Sequence, residues 1–217
     1  MQDEGSQLVA LALALAPLDG PDSRWLDLCA GPGGKAALLG GLAGQHGATL
    51  LAAELAAHRA RLVRQAAAAT AQVVVADGAA PPWRPDTFDR VLADVPCTGL
   101  GALRRRPEAR WRRQPADVAV LARLQRQLLD AAIDSTRPGG LVAYVTCSPH
   151  LAETVAVVGD ALRHRGDIEQ IDARPYFPGV VGLGRGPHVQ LWPHLHGTDA
   201  MFMALLRRTS HADRVPP

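Results

Sequence analysis

Two cysteines in this 217-residue chain stand in similar settings, one in Asp94-Val95-Pro96-Cys97 and one in Thr146-Cys147-Ser148-Pro149. Each follows an apolar run that reads as a strand, Phe88 to Ala93 in one case and Gly140 to Val145 in the other. Open α/β sheets bind their ligands at the carboxyl ends of strands. Two thiols, an acid and two prolines are odd material for a core, and they point to a cysteine nucleophile. A cysteine there suits a carbon target too weak to react unaided. Carbon 5 of a pyrimidine is such a target. A thiolate adding to carbon 6 makes carbon 5 enamine-like and able to attack a sulfonium methyl; loss of the carbon-5 proton then frees the thiol. An acid near ring nitrogen 3, such as Asp94, stabilises the charge that develops. Residue types do not choose between the thiols. One physical point favours Cys147: Ser148 and Pro149 read as the cap and first residue of a helix, whose N-terminus lowers a thiol pKa.

A second cluster is Cys29-Ala30-Gly31-Pro32-Gly33-Gly34-Lys35, between a short apolar strand, Trp25 to Ala30, and a helix predicted through Leu42. Gly31, Gly33 and Ala36 fit the dinucleotide fingerprint, and Glu54 ends the next strand, where an acid can hold ribose hydroxyls. That match leaves nicotinamide cofactors open. A phosphate-binding Walker loop is excluded, because Ala36 follows Lys35 and no hydroxyl is offered to magnesium. S-adenosylmethionine lies in the same kind of crevice, its ribose on a strand-two acid and its adenine near the end of strand three. Glu54 and Asp77 stand at those two places. Lys35 is the only lysine, against 22 arginines, as suits a site that takes a slim point charge and not a planar fork. Cys29 reads as a small buried hydrophobe whose backbone lines the cofactor.

The elements that must carry these groups alternate. Ser6 is predicted to cap a lead helix over residues 6–16 with Leu8, Leu11 and Leu15 on one face. Strands are expected at Ala48–Glu54, Val73–Asp77, Phe88–Val95, Leu141–Cys147, Ile168–Asp172 and Met201–Arg207. Helices are expected at His58–Ala67, at Val118–Thr136 with apolar residues at 120, 121, 124, 128 and 129, and from Ser148 to about Arg163. Pro81, Pro82 and Pro85 make one crossover irregular, Arg137-Pro138-Gly139-Gly140 closes a helix, and Arg174 to Gly197 reads mostly as loop. Such alternation predicts a doubly wound α/β domain over residues 1–217. The expected sheet is seven-stranded and mostly parallel, with helices on both faces and an antiparallel edge strand.

The net charge is +2, but six arginines and one acid fall between Thr98 and Arg113, which therefore carries +5 and leaves −3 on the remainder. A basic patch on an acidic body predicts an anionic partner. Trp111 within it is placed to stack on an unpaired base or to anchor the loop. Three cysteines without a CxxC pair fit a reducing cytoplasm better than a disulfide framework. The eight histidines show no metal-binding spacing, and the apolar run Leu8–Leu18 is too short to span a bilayer. No metal and no membrane are expected, and the chain is expected to be a monomer.

LDLCAGPGGKAALL, ADVPCTGLGALRRRPEARW and VAYVTCSP resemble the RNA 5-methylcytosine methyltransferases of the Sun (RsmB) family, as do the opening QDEGSQLVA and the closing HGTDAMFMALLRR. The resemblance implies a Rossmann-like class I fold, S-adenosylmethionine as cofactor and RNA as substrate, 16S ribosomal RNA in particular. It implies that Cys147 attacks carbon 6, that Cys97 helps resolve the adduct and that Asp94 contacts the base. It places the cofactor against Cys29, Ala30, Gly31, Pro32, Gly33, Gly34, Lys35, Glu54, Asp77 and Asp94, and the RNA against Arg104, Arg105, Arg106, Arg110 and Trp111. DNA cytosine methyltransferases attack with the cysteine of their PC motif, so the assignment of Cys147 rests on this family. Arg106 stands where the family often has histidine, and Ala200 and Met201 replace a Gly-Phe pair. Full members carry N-terminal RNA-binding parts, so an isolated catalytic domain is expected here. A weakly catalytic RNA-binding or ribosome-assembly module is the alternative from a different class.

Overall fold

The computed structural model describes residues 2–210. In chain order the elements are α1 (Glu4–Leu15), β1 (Arg24–Asp27), α2 (Gly34–Gln45), β2 (Thr49–Glu54), α3 (Ala57–Ala67), β3 (Gln72–Val75) and β4 (Phe88–Asp94). They continue as α4 (Ala109–Arg112), α5 (Pro115–Ser135), β5 (Thr136–Thr146), α6 (Val155–His164), β6 (Ile168–Ile171), β7 (Val189–Gln190), α7 (Pro193–His196) and β8 (Phe202–Arg208). The sheet order is β3-β2-β1-β4-β5-β8-β6, with β7 paired to β8. β1 to β5 run parallel, and β8 is antiparallel to both β5 and β6. The antiparallel strand therefore lies one place inside the edge, and the short β7 makes an eighth strand.

A sheet covered on both faces needs strands that are apolar throughout, and the central ones comply. Along β5, Leu141, Ala143 and Val145 enter one core with α1 and α2, while Val142 and Tyr144 enter the other with α5 and α6. β8 alternates in the same way, Met203 and Leu205 against Phe202, Ala204 and Leu206. This period-two division fixes the register, because a one-residue slip would exchange the cores.

Five local expectations change. Asp3, not Ser6, caps α1, its carboxylate accepting from the Gly5 amide at 3.0 Å. The buried face of α1 is Val9, Ala12 and Leu13, with Leu15 half exposed, because small residues let the helix lie close to its neighbours. Val120 of α5 is likewise exposed. Arg137-Pro138-Gly139-Gly140 does close α5, but it also opens β5, as an irregularity in which Phe88 pairs Thr136 and Arg90 already pairs Leu141. Ser148 starts no helix: a single 3-10 turn, Leu151–Glu153, intervenes and α6 begins only at Val155.

Buried charge holds the amino ends of the central strands. Arg90 in β4 donates to the Leu13 and Ala16 carbonyls at 2.6 and 2.7 Å, which ends α1, and pairs with Asp22 at 2.7 Å. Asp89 accepts from the Ser23 and Arg24 amides, both at 2.8 Å, and from Arg137 at 2.6 Å.

Candidate active site

The carboxyl ends of β1, β4 and β5 lie side by side, with Asp94 in register with Val145. The segments leaving β4 and β5 consequently meet, and Cys97 Sγ is 3.4 Å from Cys147 Sγ. Cys97 is buried and Cys147 partly exposed, and both are free thiols. Lys35, in the first turn of α2, reaches across to place Nζ 2.8 Å from Asp94 Oδ2. The glycine-rich turn makes that reach possible. Gly33 has φ +113°, a conformation that side chains avoid, and a Cβ on it would lie 2.8 Å from Ala66.

Glu54 fastens the same loop from the end of β2. Its carboxylate accepts from the Gly31 amide at 3.1 Å and the Ala56 amide at 2.9 Å. Arg59 donates to the Gly31 carbonyl at 2.7 Å and pairs with Glu54 at 3.5 Å. A Cβ on Gly31 would sit 2.2 Å from Glu54 Oε2, so only glycine allows this approach. Asp77 lies beyond β3 and accepts from the Ala79 amide at 2.9 Å.

Two cavities converge here. One of about 680 Å³ is lined by Glu54, Asp77, Asp94, Cys97 and Cys147; the other, about 430 Å³, by Asp27, Lys35, Asp94, Cys147 and Asp199. Asp94 and Cys147 stand at their junction. The volumes are those of small-molecule sites.

The titrating groups are strongly perturbed. The hydrogen bond with Cys97 holds the Cys147 thiol below its ordinary value and Lys35 adds to this, against burial and the Asp94 charge. The same hydrogen bond, then burial, pushes Cys97 well above it. Burial would lower Lys35, but the Asp94 carboxylate outweighs it and the ammonium is held. Burial also drives Cys29 well up. Cys147 thus gains thiolate character from Cys97 and Lys35, and not from a helix opening at Ser148, because α6 begins only at Val155.

Asp27, at the end of β1, went unnoticed in the sequence. Burial, then the Asp94 charge, pushes it up to about 7, with Lys35 opposing. One oxygen accepts from the Cys29 amide at 3.4 Å, and among the described residues Oδ2 has no partner. Arg59 was missed too, although its place five residues after Glu54 puts it on the first turns of α3, facing the loop.

The arginine stretch divides. Arg104 and Arg105 are committed to the buried carboxylates of Asp3 and Asp199. Among the described residues Arg106 and Arg110 form no ion pair; Arg110 lies over Trp111, its carbon 5.4 Å from the ring centre. Trp111 is 79% exposed, so it does not anchor the loop. Arg113 turns inward and donates to the Thr98 and Cys97 carbonyls at 3.1 and 3.3 Å. Among the described residues no group of three or more His, Cys, Asp or Glu side chains is arranged for a metal, and no helix is long and apolar enough to cross a membrane.

Known proteins resemble this chain in sequence and fold. The profile of the 16S rRNA methyltransferase RsmB/F family matches residues 12–207. The chain belongs to that family. A Mycobacterium tuberculosis protein described as a methyltransferase is 65% identical over 210 residues, which is 96% of this chain and 46% of that one. The ribosomal RNA small subunit methyltransferase B of Erwinia tasmaniensis is 37% identical over 95% of this chain and 46% of its own length. The chain therefore spans about half the length of the curated relatives it matches. The structure of NSun6 from Pyrococcus horikoshii with SFG has a TM-score of 0.81 at 27% identity, covering 96% of this chain and 53% of that one. The fold is that of the Rossmann-like class I S-adenosylmethionine-dependent methyltransferases.

Proposed function

We propose that this chain methylates carbon 5 of a cytosine in RNA, in small-subunit ribosomal RNA by analogy with its relatives, through a covalent adduct on Cys147. The observation that carries the reading is the meeting of two unlike thiols 3.4 Å apart beside a Lys35–Asp94 pair. The similar NSun6 structure was solved with SFG, an analogue of S-adenosylmethionine. This site fits that group: Cys29, Gly31, Glu54 and Asp77 border the larger cavity, and the rest of the turn (Ala30, Pro32, Gly34 and Lys35) borders the smaller one together with Asp27 and its unpartnered oxygen. S-adenosylmethionine supplies an electrophilic methyl group when bound there.

The protein's own residues have three tasks. Cys147, the thiol held low and partly exposed, adds to carbon 6 and makes carbon 5 nucleophilic. Asp94 faces the junction of the cavities and hydrogen-bonds the base edge, while Lys35 keeps its charge beside it and balances that of the adduct. After methyl transfer carbon 5 must give its proton to a base, which solvent water reaching the open cavity supplies, and carbon 6 must release the Cys147 sulfur as a thiolate. Cys97 stands next to the departing Cys147 sulfur and supports that elimination. Exposed Arg106 lines both cavities, and exposed Arg110 and Trp111 follow it in the same basic stretch; the three are assigned to phosphate contact and base stacking. Arg104 and Arg105, paired to acids, hold that stretch in place instead.

Trapping tests the division of labour. After incubation with substrate RNA and S-adenosylmethionine, Cys97→Ala is expected to accumulate a covalent protein–RNA species on a denaturing gel, and Cys147→Ala to form none. An adduct that survives Cys147→Ala overturns the assignment.

A further inference from the structure

Glu153 has no part in the chemistry described so far, yet it is completely buried and is surrounded by the two cysteine-bearing segments. Its Oε1 accepts from the Thr98 amide at 2.8 Å and from Gln125 Nε2 at 3.1 Å. Its Oε2 accepts from the Thr98 hydroxyl at 2.5 Å and the Ser148 hydroxyl at 2.6 Å. Thr98 directly follows Cys97, and Ser148 directly follows Cys147. One carboxylate therefore holds the backbone next to each thiol. Its own segment is fixed in turn, since the Tyr144 hydroxyl donates to the Glu153 carbonyl at 2.8 Å and Gln125 also donates to the Pro96 carbonyl at 2.8 Å.

Nothing in the fold alone demands a buried carboxylate here. The surrounding face of the sheet is apolar, with Val95, Leu128, Tyr144 and Val157 in the same core. A buried charge without a cation beside it is costly unless every lone pair is used. Two donors on each oxygen meet that condition, and they all come from elements that lead to the thiols or brace them. A structural clamp needs only hydrogen bonds, which a neutral side chain also supplies. A negative charge does one thing more: it disfavours ionisation of the thiol it faces.

We infer that Glu153 is the positioning residue of the thiol pair, holding Cys97 and Cys147 in contact and keeping the exchangeable proton on Cys97 so that Cys147 carries the nucleophilic sulfur. The inference rests on the adduct chemistry proposed above for its purpose, but not for its test. Other charges bear on the thiols as well. Asp94, Lys35 and Asp199 act on Cys147, the first and last against its ionisation and Lys35 for it. Glu153 contributes to the elevation of Cys97, after the hydrogen bond with Cys147 and burial, and is not among the charges named for Cys147. The carboxylate is therefore a source of the asymmetry between two sulfurs in contact.

Thiol alkylation reads this asymmetry without RNA or cofactor. Iodoacetamide is applied to the full chain between pH 6 and 9, and the modified cysteine is identified by peptide mass. In the native protein Cys147 is expected to react well ahead of Cys97. Glu153→Gln keeps the shape, and its amide can still bond to the hydroxyls of Thr98 and Ser148 after they rotate. It is expected to reduce the Cys147 preference about tenfold, by speeding Cys97 and slowing Cys147. Ser148→Ala removes the arm to the Cys147 segment, together with the Ser148 contacts to the Thr98 hydroxyl and the His150 amide, and is expected to reduce the preference about threefold with the charge intact. Folding is checked by circular dichroism, and Ser148→Ala carries the test if Glu153→Gln does not fold. A folded variant that keeps the native preference at every pH overturns the inference. A loss of preference in a protein that never forms an RNA adduct would uphold the positioning role and reject the proposed reaction.

Discussion

The two ends of the same strands are built from similar residues and behave differently. At the amino ends of β1 and β4, Asp22, Asp89, Arg90 and Arg137 bury their charges in pairs and backbone bonds, and each carboxylate is matched by a guanidinium. At the carboxyl ends, Asp27, Asp94, Lys35, Cys97 and Cys147 crowd together with one ammonium for two acids. There, among the described residues, an oxygen of Asp27 has no partner, and the smaller of the two converging cavities opens beside it. Saturated hydrogen bonding marks the first cluster as construction. The second leaves an acceptor free and shifts several pKa values at once, the pattern expected where a ligand completes the set.

Removing the cation from each end makes that contrast measurable. Lys35→Met leaves Asp94 unneutralised where the base and cofactor meet, and methyl transfer per folded molecule is expected to fall by about 10²–10³-fold, beyond any loss of stability from the broken pair. Arg90→Met removes the donors that end α1 and leaves Asp22 unpaired. It is expected to cost about 3 kcal/mol of stability, the lower end for a broken buried pair because Asp22 is partly exposed. Its turnover per folded molecule is expected to stay native. Urea melts and single-turnover assays on both variants separate the effects. If Lys35→Met is chiefly a stability variant, the carboxyl end is construction too.

The contrast also explains what the sequence made legible. Alternating strands and helices, the Pro/Gly breaks and the acid or thiol at each strand end are local signals, and they recovered the sheet and the Cys97, Cys147, Asp94, Lys35 and Glu54 constellation. Signals that depend on distant partners did not show. Glu153 looks like an ordinary polar residue because its partners lie up to 55 positions away. Ser148 has the form of a helix cap, but its hydroxyl is taken by that same Glu153. The lead helix was turned wrongly for a different reason: leucine outranks alanine in any hydrophobic pattern, whereas close packing on α2 and the sheet selects the small face. The arginine stretch was read as uniform because charge counts cannot see Asp3 and Asp199 folding back onto Arg104 and Arg105.

Acid behaviour should separate the two ends next. Asp27 has an ordinary value of 3.8 and is pushed to about 7 in the folded chain. The folded state therefore holds this proton more tightly than the unfolded one. The contribution is fully present below about pH 4 and is lost as pH rises through 7, by up to about 4 kcal/mol in all. Asp22 is held below its ordinary value, Arg90 outweighing burial, so its contribution is present above about pH 4 and lost in acid. Asp27→Asn is expected to flatten the fall in stability between pH 5 and pH 8 by about 2–4 kcal/mol, measured by urea unfolding at both pH values. An unchanged slope would show that Asp27 is not the strained acid of the site.

The smallest effect concerns the arginines, where the same distinction between satisfied and unsatisfied charge applies within one stretch. Arg105 is already neutralised by Asp199, whereas among the described residues Arg110 has no ion pair and lies over the Trp111 ring. A cation with a protein partner has little counterion to displace from RNA, and a free one releases about 0.7 of an ion for each phosphate on a single strand. Arg110→Ala is therefore expected to weaken RNA binding and to lower the slope of log affinity against log salt by about 0.7. Trp111→Ala removes a stacking surface, so it should weaken binding by about 1–3 kcal/mol with the slope unchanged. Arg105→Ala should leave the slope unchanged as well, because Asp199 loses its partner while no phosphate does. Fluorescence anisotropy of a labelled RNA across a salt series distinguishes the three. A slope that falls equally for Arg105→Ala and Arg110→Ala would mean that RNA competes successfully with Asp199, and that the pairing seen here is a closed entrance opened by the substrate.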